Sequence, residues 1–522
     1  MCVSKKYEKL LTIAVLLFVI QGEYLAAADS HSKIPPISSS VSLNEKKIST
    51  SQSGGRSSSS NNYSSYSDNS NSDSIPSEEN FYPFTLSSNK ITAENVAGLR
   101  IKGEKIILFG FNNTCSTDNL TKDFDFSDMN FFKQYPKLIS VELNGLSLKR
   151  NVLENLQKFL PPTLKSLIIR SCDIQNDDNE SFVNIIKKHP SLENIVIIFP
   201  DMSADESTSI LGTLKINNNV KSLSLTFGKL STEGSKHLTD LIINSAKSLQ
   251  ELSLGWITIA GDNNSYKNIT NAILKIKKLQ KLEISVMSLS DNDIECIANA
   301  IGNMKHLLAL KIFFGDLNKH DHIKLFENAE ILQQSLVKLK KLDMLDLSDN
   351  GLPSEVIQLI AQAISSMQKL KTINLSGNIV DEKSAESLSD AIKKTDSITT
   401  LIANECKIDD KVFAALCKSL SNTFLMHLYF KNNKIKEGAK NLPIASMPEL
   451  YVVDFSQNEM GYGDVMAFIE SIKGNSRLSI LNFNNNSGIE EANKIEQTIK
   501  RNQLEEWRFT NCPNRQISIY GL

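Results

Sequence analysis

Leu342-Asp-Met-Leu345-Asp-Leu347-Ser-Asp-Asn350-Gly-Leu352 places apolar side chains first, fourth and sixth, an amide ninth and a leucine eleventh. The same arrangement returns 28 residues later as Leu370-Lys-Thr-Ile373-Asn-Leu375-Ser-Gly-Asn378-Ile-Val380. Apolar residues at the fourth and sixth places, separated by one polar residue, fit a short strand with one buried face. The following amide fits the turn where the chain leaves that strand. One such unit cannot bury its own apolar face, but a stack of them shares a continuous core.

Working outward from this pair, starts of the pattern fall at Leu138, Leu164, Leu192, Val220, Leu249, Leu279, Leu307, Leu342, Leu370, Ile398, Leu425, Leu450, Leu478 and Leu504. The spacings are 26, 28, 28, 29, 30, 28, 35, 28, 28, 27, 25, 28 and 26 residues, too regular for chance matches in a leucine-rich chain. Units of this length leave room for a helix after each strand. Val356, Leu359, Ile360, Ala363, Ile364 and Met367 fall at helical spacing, as do Ala385, Leu388, Ala391 and Ile392 one repeat later. The 35-residue unit predicts a longer helical stretch over roughly 321–340.

The period, the helical inserts and the Asn or Cys at the ninth position resemble the ribonuclease-inhibitor-like class of leucine-rich repeats. That class includes the Ran GTPase-activating protein and the sensor arrays of NOD-like receptors. The resemblance covers roughly Leu138 to the C-terminus. It implies an α/β solenoid, a horseshoe with parallel strands on the concave face, helices on the convex face and about 14 repeats. It implies little about function, because members share the scaffold and little else. From the eighth repeat on, the ninth position reads Asn350, Asn378, Cys406, Asn433, Asn458, Asn486 and Cys512. Earlier it reads Leu146, Cys172, Pro200, Gly228, Ile257, Met287 and Gly315. The N-terminal half therefore departs from the family pattern, and its turns must close by other means.

Before the array, Lys5, Lys6 and Lys9 precede an apolar run from Leu10 to Ile20, and Ala26-Ala27-Ala28 follows. These are the parts of a secretory signal peptide over residues 1–28, and the run is short for a bilayer span. Residues 29–80, rich in Ser and Asn with few aliphatic side chains, are expected to be a disordered tether. Residues 81–136 are expected to cap the open core of the first repeat, leaving 137–522 for the array.

The formal net charge is −2 over 522 residues, so the overall balance gives no nucleic-acid or anionic-membrane footprint. Lysine clusters such as Lys275 to Lys281 and Lys338 to Lys341 lie at the ends of predicted helices, where the helix C-terminus favours positive charge. The cysteines form no CxxC, and Cys406 with Cys417 is the one local pair with bridging distance in sequence. His320-Asp321-His322 is the one histidine cluster; surface polarity explains it better than a metal pair. No phosphate loop, HExxH or nucleophile elbow is present. The expectation is a protein that is not an enzyme, with no cofactor and no bound metal.

Strand alternation points the fifth and seventh positions to the concave side. Ile168, Val196 and Ile198 form an apolar patch there, Phe313 sits midway, and Tyr429 with Lys431 stands in a Ser/Asn/Asp lane further on. Apolar and aromatic groups in such a place read as a protein-binding surface. The expected function is a secreted, monomeric, non-catalytic protein-binding scaffold, an effector or surface-interaction protein, without nucleic acid or stable membrane insertion. The alternatives are a regulator of a host GTPase or signalling enzyme after delivery into another cell, and a surface adhesion or structural protein.

Overall fold

In the computed structural model the described residues are 81–82, 96–102, 105–110, 138–486 and 516–518, apart from 175, 260–264, 287–290, 315–327, 473–476 and 479. The signal, tether and histidine-cluster expectations fall outside them, as does the first part of the long helix expected over 321–340. Of that stretch, Ala329–Leu336 is helical.

The strands follow the pattern starts. Ser140–Asn144, Ser166–Arg170, Asn194–Phe199, Ser222–Phe227, Glu251–Ile259, Lys281–Val286 and Ala309–Phe313 pair in parallel with one another in turn. Met344–Asp346, Thr372–Asn374, Thr400–Ile402, His427–Tyr429, Val452–Asp454 and Ile480–Asn482 continue the sheet without a change of direction. Equivalent residues meet along the sheet, apart from a one-residue shift where Val286 lies opposite Ile257, and the 35-residue repeat breaks nothing in the register. The second position alone makes an unbroken backbone ladder, in which each N–H donates to the carbonyl one repeat earlier, from Ile139 through Lys165, Glu193, Lys221, Gln250, Gln280, Leu308, Asp343, Lys371, Thr399 and Met426 to Tyr451. This is a leucine-rich repeat solenoid.

The motif leucines are its core. Leu143, Leu225, Leu345, Leu375 and Leu428 are all fully buried. One face of the sheet packs on helices such as Arg150–Phe159, Ser354–Ile364 and Glu382–Lys394, and among the described residues the other face has no helix. Strands sit about 4.8 Å apart while helices need about 8–10 Å, so the sheet must curve with its helix-free face inward. The 25-residue repeat is too short for an α-helix and uses two 3₁₀ turns instead, Glu437–Asn441 and Ile444–Ser446. Near the C-terminal end Phe430, Phe455 and Phe483 stack at the sixth position with ring centroids 6.0 and 6.4 Å apart. Phe413 meets Phe430 edge-on at 5.1 Å, and Phe468 meets Phe455 at 5.3 Å.

Two expectations need correction or refinement. The strand beside Ile480–Asn482 is Gln516–Ser518, with Leu481 opposite Ile517. The strand of the last unit therefore does not follow the start at Leu504. An apolar triplet alone tolerates more than one register at the end of an array. At the other end, Val96–Lys102 and Lys105–Gly110 form an antiparallel pair, and the second strand lies parallel to Ser140–Asn144. These strands extend the sheet edge in its own plane.

Turn closure differs along the chain. In the C-terminal repeats the eighth position takes a left-handed conformation at Asp349, Gly377, Glu405, Asn432, Gln457 and Asn485. That turn aims the ninth side chain inward. Asn378 Nδ2 donates to the carbonyls of Leu347 and Leu375 at 2.9 and 2.8 Å, and its Oδ1 accepts from Leu352 N–H at 2.8 Å. Asn433 and Asn458 repeat the arrangement. The Cys406 thiol imitates it by donating to Leu375 O at 3.2 Å. Burial pushes the Cys406 and Cys172 thiols up to about 12, and both are free, as is Cys417. There is no Cys406–Cys417 bridge.

Candidate functional site

The helix-free face of the sheet carries every residue singled out from the sequence. Ile168 and Val196 are opposed on neighbouring strands, and Ile198 lies two residues beyond Val196 on the same face. All three are half-buried. Ile168 lies in register between Glu142 and Val196, and Ile198 lies beside Arg170. Arg170 Nε meets Glu142 Oε1 at 3.2 Å, so an ion pair borders the apolar patch. The described strands of residues 96–110 lie edge-on to the sheet, so they do not cover this patch.

The middle of the face is a charged ladder. Ser253 Oγ donates to Glu283 Oε2 at 3.0 Å, and Lys311 Nζ lies 3.3 Å from Glu283 Oε1. Burial works to lower the Lys311 ammonium, but Glu283 and Asp346 outweigh it and hold Lys311 above the usual lysine range. Phe313 closes the same strand, half-buried and in register with Ser285.

Tyr429 stands between Ile402 and Asp454 in the fifth-position lane. Burial, with Asp454 adding to it, raises the Tyr429 hydroxyl. Lys431 follows two residues on, just beyond the strand, and its N–H donates to Asn404 Oδ1 at 2.8 Å. Sequence reading passed over the neighbours. Ile402 is 4% exposed, packed between the lane residues. His427 lies near Thr400 Oγ1 at 3.2 Å, packs edge-on against Tyr451 at 6.3 Å, and is lowered by burial. Tyr451 and Phe424 are exposed at 40% and 51%. An aromatic at the second position was the available signal, but it becomes meaningful only once the register places it beside His427.

Much of the polar lane is occupied by the backbone. Ser348 N–H donates to Asp346 Oδ1, Ser376 N–H to Asn374 Oδ1, Ser456 N–H to Asp454 Oδ1 and Asn484 N–H to Asn482 Oδ1, all between 2.8 and 3.1 Å. Where the fifth position is Ile402 or Tyr429, the previous repeat's seventh side chain serves instead. Ser376 Oγ accepts from Asn404 N–H, and Asn404 Oδ1 from Lys431 N–H. These Ser, Asn and Asp residues therefore hold up the turn and contribute less to recognition than their abundance suggests.

The six candidates form three groups, not one pocket. Four strand steps separate Val196 from Phe313, and four more separate Phe313 from Tyr429, roughly 19 Å each at about 4.8 Å per step. Among the described residues no group of three or more His, Cys, Asp or Glu side chains could hold a metal ion, and no helix is long and apolar enough to cross a membrane. No family model matches the chain, and no curated protein matches it. A chain in the crystal structure of a Rad7 and Elc1 complex in yeast is similar over 64% of this chain and 73% of that one, at 14% identity and a TM-score of 0.39. The fold assignment rests on the strand register and draws nothing from that likeness.

Proposed function

We propose that this chain is a secreted, non-catalytic protein-binding scaffold of the ribonuclease-inhibitor-like class, which as a monomer holds a protein partner along its helix-free face. One observation carries the reading: Ile168, Val196, Ile198 and Tyr429 project from the sheet on the side with no helices and stay partly open. Such groups supply most of the energy of protein interfaces, while charged neighbours such as Arg170 and Lys431 orient the partner. The separation of the groups calls for an elongated or large partner surface, which a small ligand does not offer. In this reading residues 1–28 are a cleaved signal, 29–80 a tether and 81–136 a cap.

The test compares the full chain with a Val196→Ser, Tyr429→Ala variant in parallel affinity capture, followed by titration of any protein retained. The variant should bind about 2 kcal/mol more weakly, roughly thirtyfold, with an unchanged melting curve. Equal affinity would remove the face as the binding site. N-terminal sequencing of exported protein should start near Asp29; an intact Met1 on membrane-embedded protein would overturn secretion.

A further inference from the structure

The near-zero net charge hides a strong separation between the two rims of the solenoid. Where helices run into strands, each repeat passes through a two-residue turn just before the first leucine. In four consecutive repeats these turns read Ile276-Lys277-Lys278-Leu279, Met304-Lys305-His306-Leu307, Leu339-Lys340-Lys341-Leu342 and Met367-Gln368-Lys369-Leu370. The outer residues of each quartet lie wholly or partly in the core, and every inner residue is exposed. Lys275 and Lys338 occupy a matching place in the preceding turn, both exposed. Lys341 Nζ lies 3.2 Å from His306 Nδ1, which shows that equivalent places in adjacent repeats are spatial neighbours. The opposite rim, where strands run into helices, is acidic on balance, with Asp173, Asp177, Asp201, Asp205, Asp381 and Asp409 outweighing bases such as Arg150, Lys383 and Lys411. Helix ends favour this polarity individually. They do not require lysines at successive stacked places.

A second observation gives the band a partner. Among the described residues the exposed large apolar side chains are Ile139, Leu274, Leu308, Ile379, Phe424, Tyr451 and Tyr462. Of these, Ile139, Leu274, Leu308, Phe424 and Tyr451 lie on the basic rim, with Leu274 beside Lys275 and Leu308 beside Leu307 at the end of the Lys305-His306 turn. Ile139, Leu308 and Tyr451 are members of the same second-position ladder. Lysines with the exposed Leu274 and Leu308 among them, on one edge, match an interface that is anionic at its surface and apolar just beneath. A nucleic-acid groove would call for arginine forks or an aromatic stacking platform, and the Lys277–Lys369 band has neither.

We propose that this rim docks the solenoid edge-on to an anionic lipid surface, with the basic band of Lys277, Lys278, Lys305, Lys340 and Lys341 on the headgroups and Leu274 and Leu308 at the acyl boundary. The contact is peripheral and leaves the helix-free face open for a protein partner. It stands or falls separately from the function proposed above. Anionic lipid is typical of the cytoplasmic leaflet, so the proposal also bears on which compartment the protein acts in.

The experiment is flotation of the full chain with vesicles of phosphatidylcholine alone and of phosphatidylcholine containing about 30% phosphatidylserine, an anionic content typical of a PS-rich leaflet. The expected result is binding to the anionic vesicles, weakened by salt. A Lys277→Gln, Lys278→Gln, Lys340→Gln, Lys341→Gln variant should lose at least tenfold, on the basis of roughly fivefold for each lysine near the surface. Its melting curve should be unchanged because all four side chains are exposed. Leu274→Ser with Leu308→Ser should lose the fraction of binding that persists at high salt. Equal flotation of wild type and the lysine variant would overturn the proposal, and would place any vesicle binding in another segment such as residues 10–20. Binding of a fluorescent DNA duplex more tightly than anionic vesicles would overturn it in favour of nucleic acid.

Discussion

The repeats from Asn194 to Phe313 and those from Met344 to Asn482 share one sheet but close their turns in opposite ways. The C-terminal strands are three residues long and are followed by a left-handed residue at the eighth position, so the ninth side chain turns inward, as an amide or as the Cys406 thiol. The N-terminal strands run to five residues or more, and no described residue between Ser171 and Asp349 has a positive φ. When a strand simply continues, alternation sends the eighth side chain inward instead. There the chain places Phe199, Phe227 and Phe314, all buried. Phe199 packs on Phe182 at 6.2 Å and on Phe227 at 6.4 Å. The C-terminal repeats close their turns with hydrogen bonds and the repeats from Asn194 to Phe313 with apolar volume, while the first two repeats share the left-handed eighth position at Gly145 and Ser171. The choice reaches the open face, because the amide half uses its Ser, Asn and Asp side chains to support the turn.

The largest effect should be common to both halves, and its failure would break the comparison at its root. Leu375 and Leu225 are the sixth-position residues of repeats in either half, each fully buried. Leu375→Asp or Leu225→Asp strands a carboxylate among apolar side chains and should cost at least about 3 kcal/mol. Denaturant unfolding checks it. A wild-type midpoint in either variant would show that the register in that half is wrong.

The next effect separates the halves. Asn458→Ala leaves the N–H of Ile435 without its partner and takes one of two amide donors from each of the Phe430 and Phe455 carbonyls, which keep Asn433 and Asn486, at a cost of about 1–3 kcal/mol for the one stranded group. At the matching place Gly228 needs no side chain and has no room for one, since a Cβ would lie 2.0 Å from Pro200 O. Gly228→Ala should cost about 1–3 kcal/mol through displaced backbone, and Gly228→Asn should give no rescue. A stabilising Gly228→Asn would mean that both halves close with amides.

The sheet, its parallel order and the buried leucines were legible in the sequence because the period fixes the register and the register fixes what faces inward. The turn chemistry was half legible. The missing asparagines before Asn350 were visible, but the compensating Phe199, Phe227 and Phe314 sit one place earlier and gain meaning only once the strands are seen to run on. The open face was less legible still. Asn374 or Ser376 reads as an exposed polar group, and only the neighbouring repeat shows that its oxygen is already engaged. Leu504 failed as a start because an apolar triplet alone tolerates more than one register. The basic rim escaped because each lysine cluster has a sufficient local reason, and the clusters add up only after stacking.

The smallest effect is confined to the amide half. Burial disfavours the charged form of His427, so its folded pKa lies below the ordinary value of 6.5. The unfolded chain then binds the proton more readily than the folded one. This contribution to stability is fully present above 6.5 and is lost as pH falls below it toward the folded value. Because His427 packs on Tyr451 and lies beside Thr400, the loosening should be local, in the strand His427–Tyr429 and its neighbours. Amide hydrogen exchange, corrected for the intrinsic effect of pH, should show protection there falling on mild acidification while Asn194–Phe199 is unaffected. His427→Gln keeps a polar side chain that does not titrate in this range, and should remove the difference between the two regions. If the difference persists in that variant, a group other than His427 is responsible.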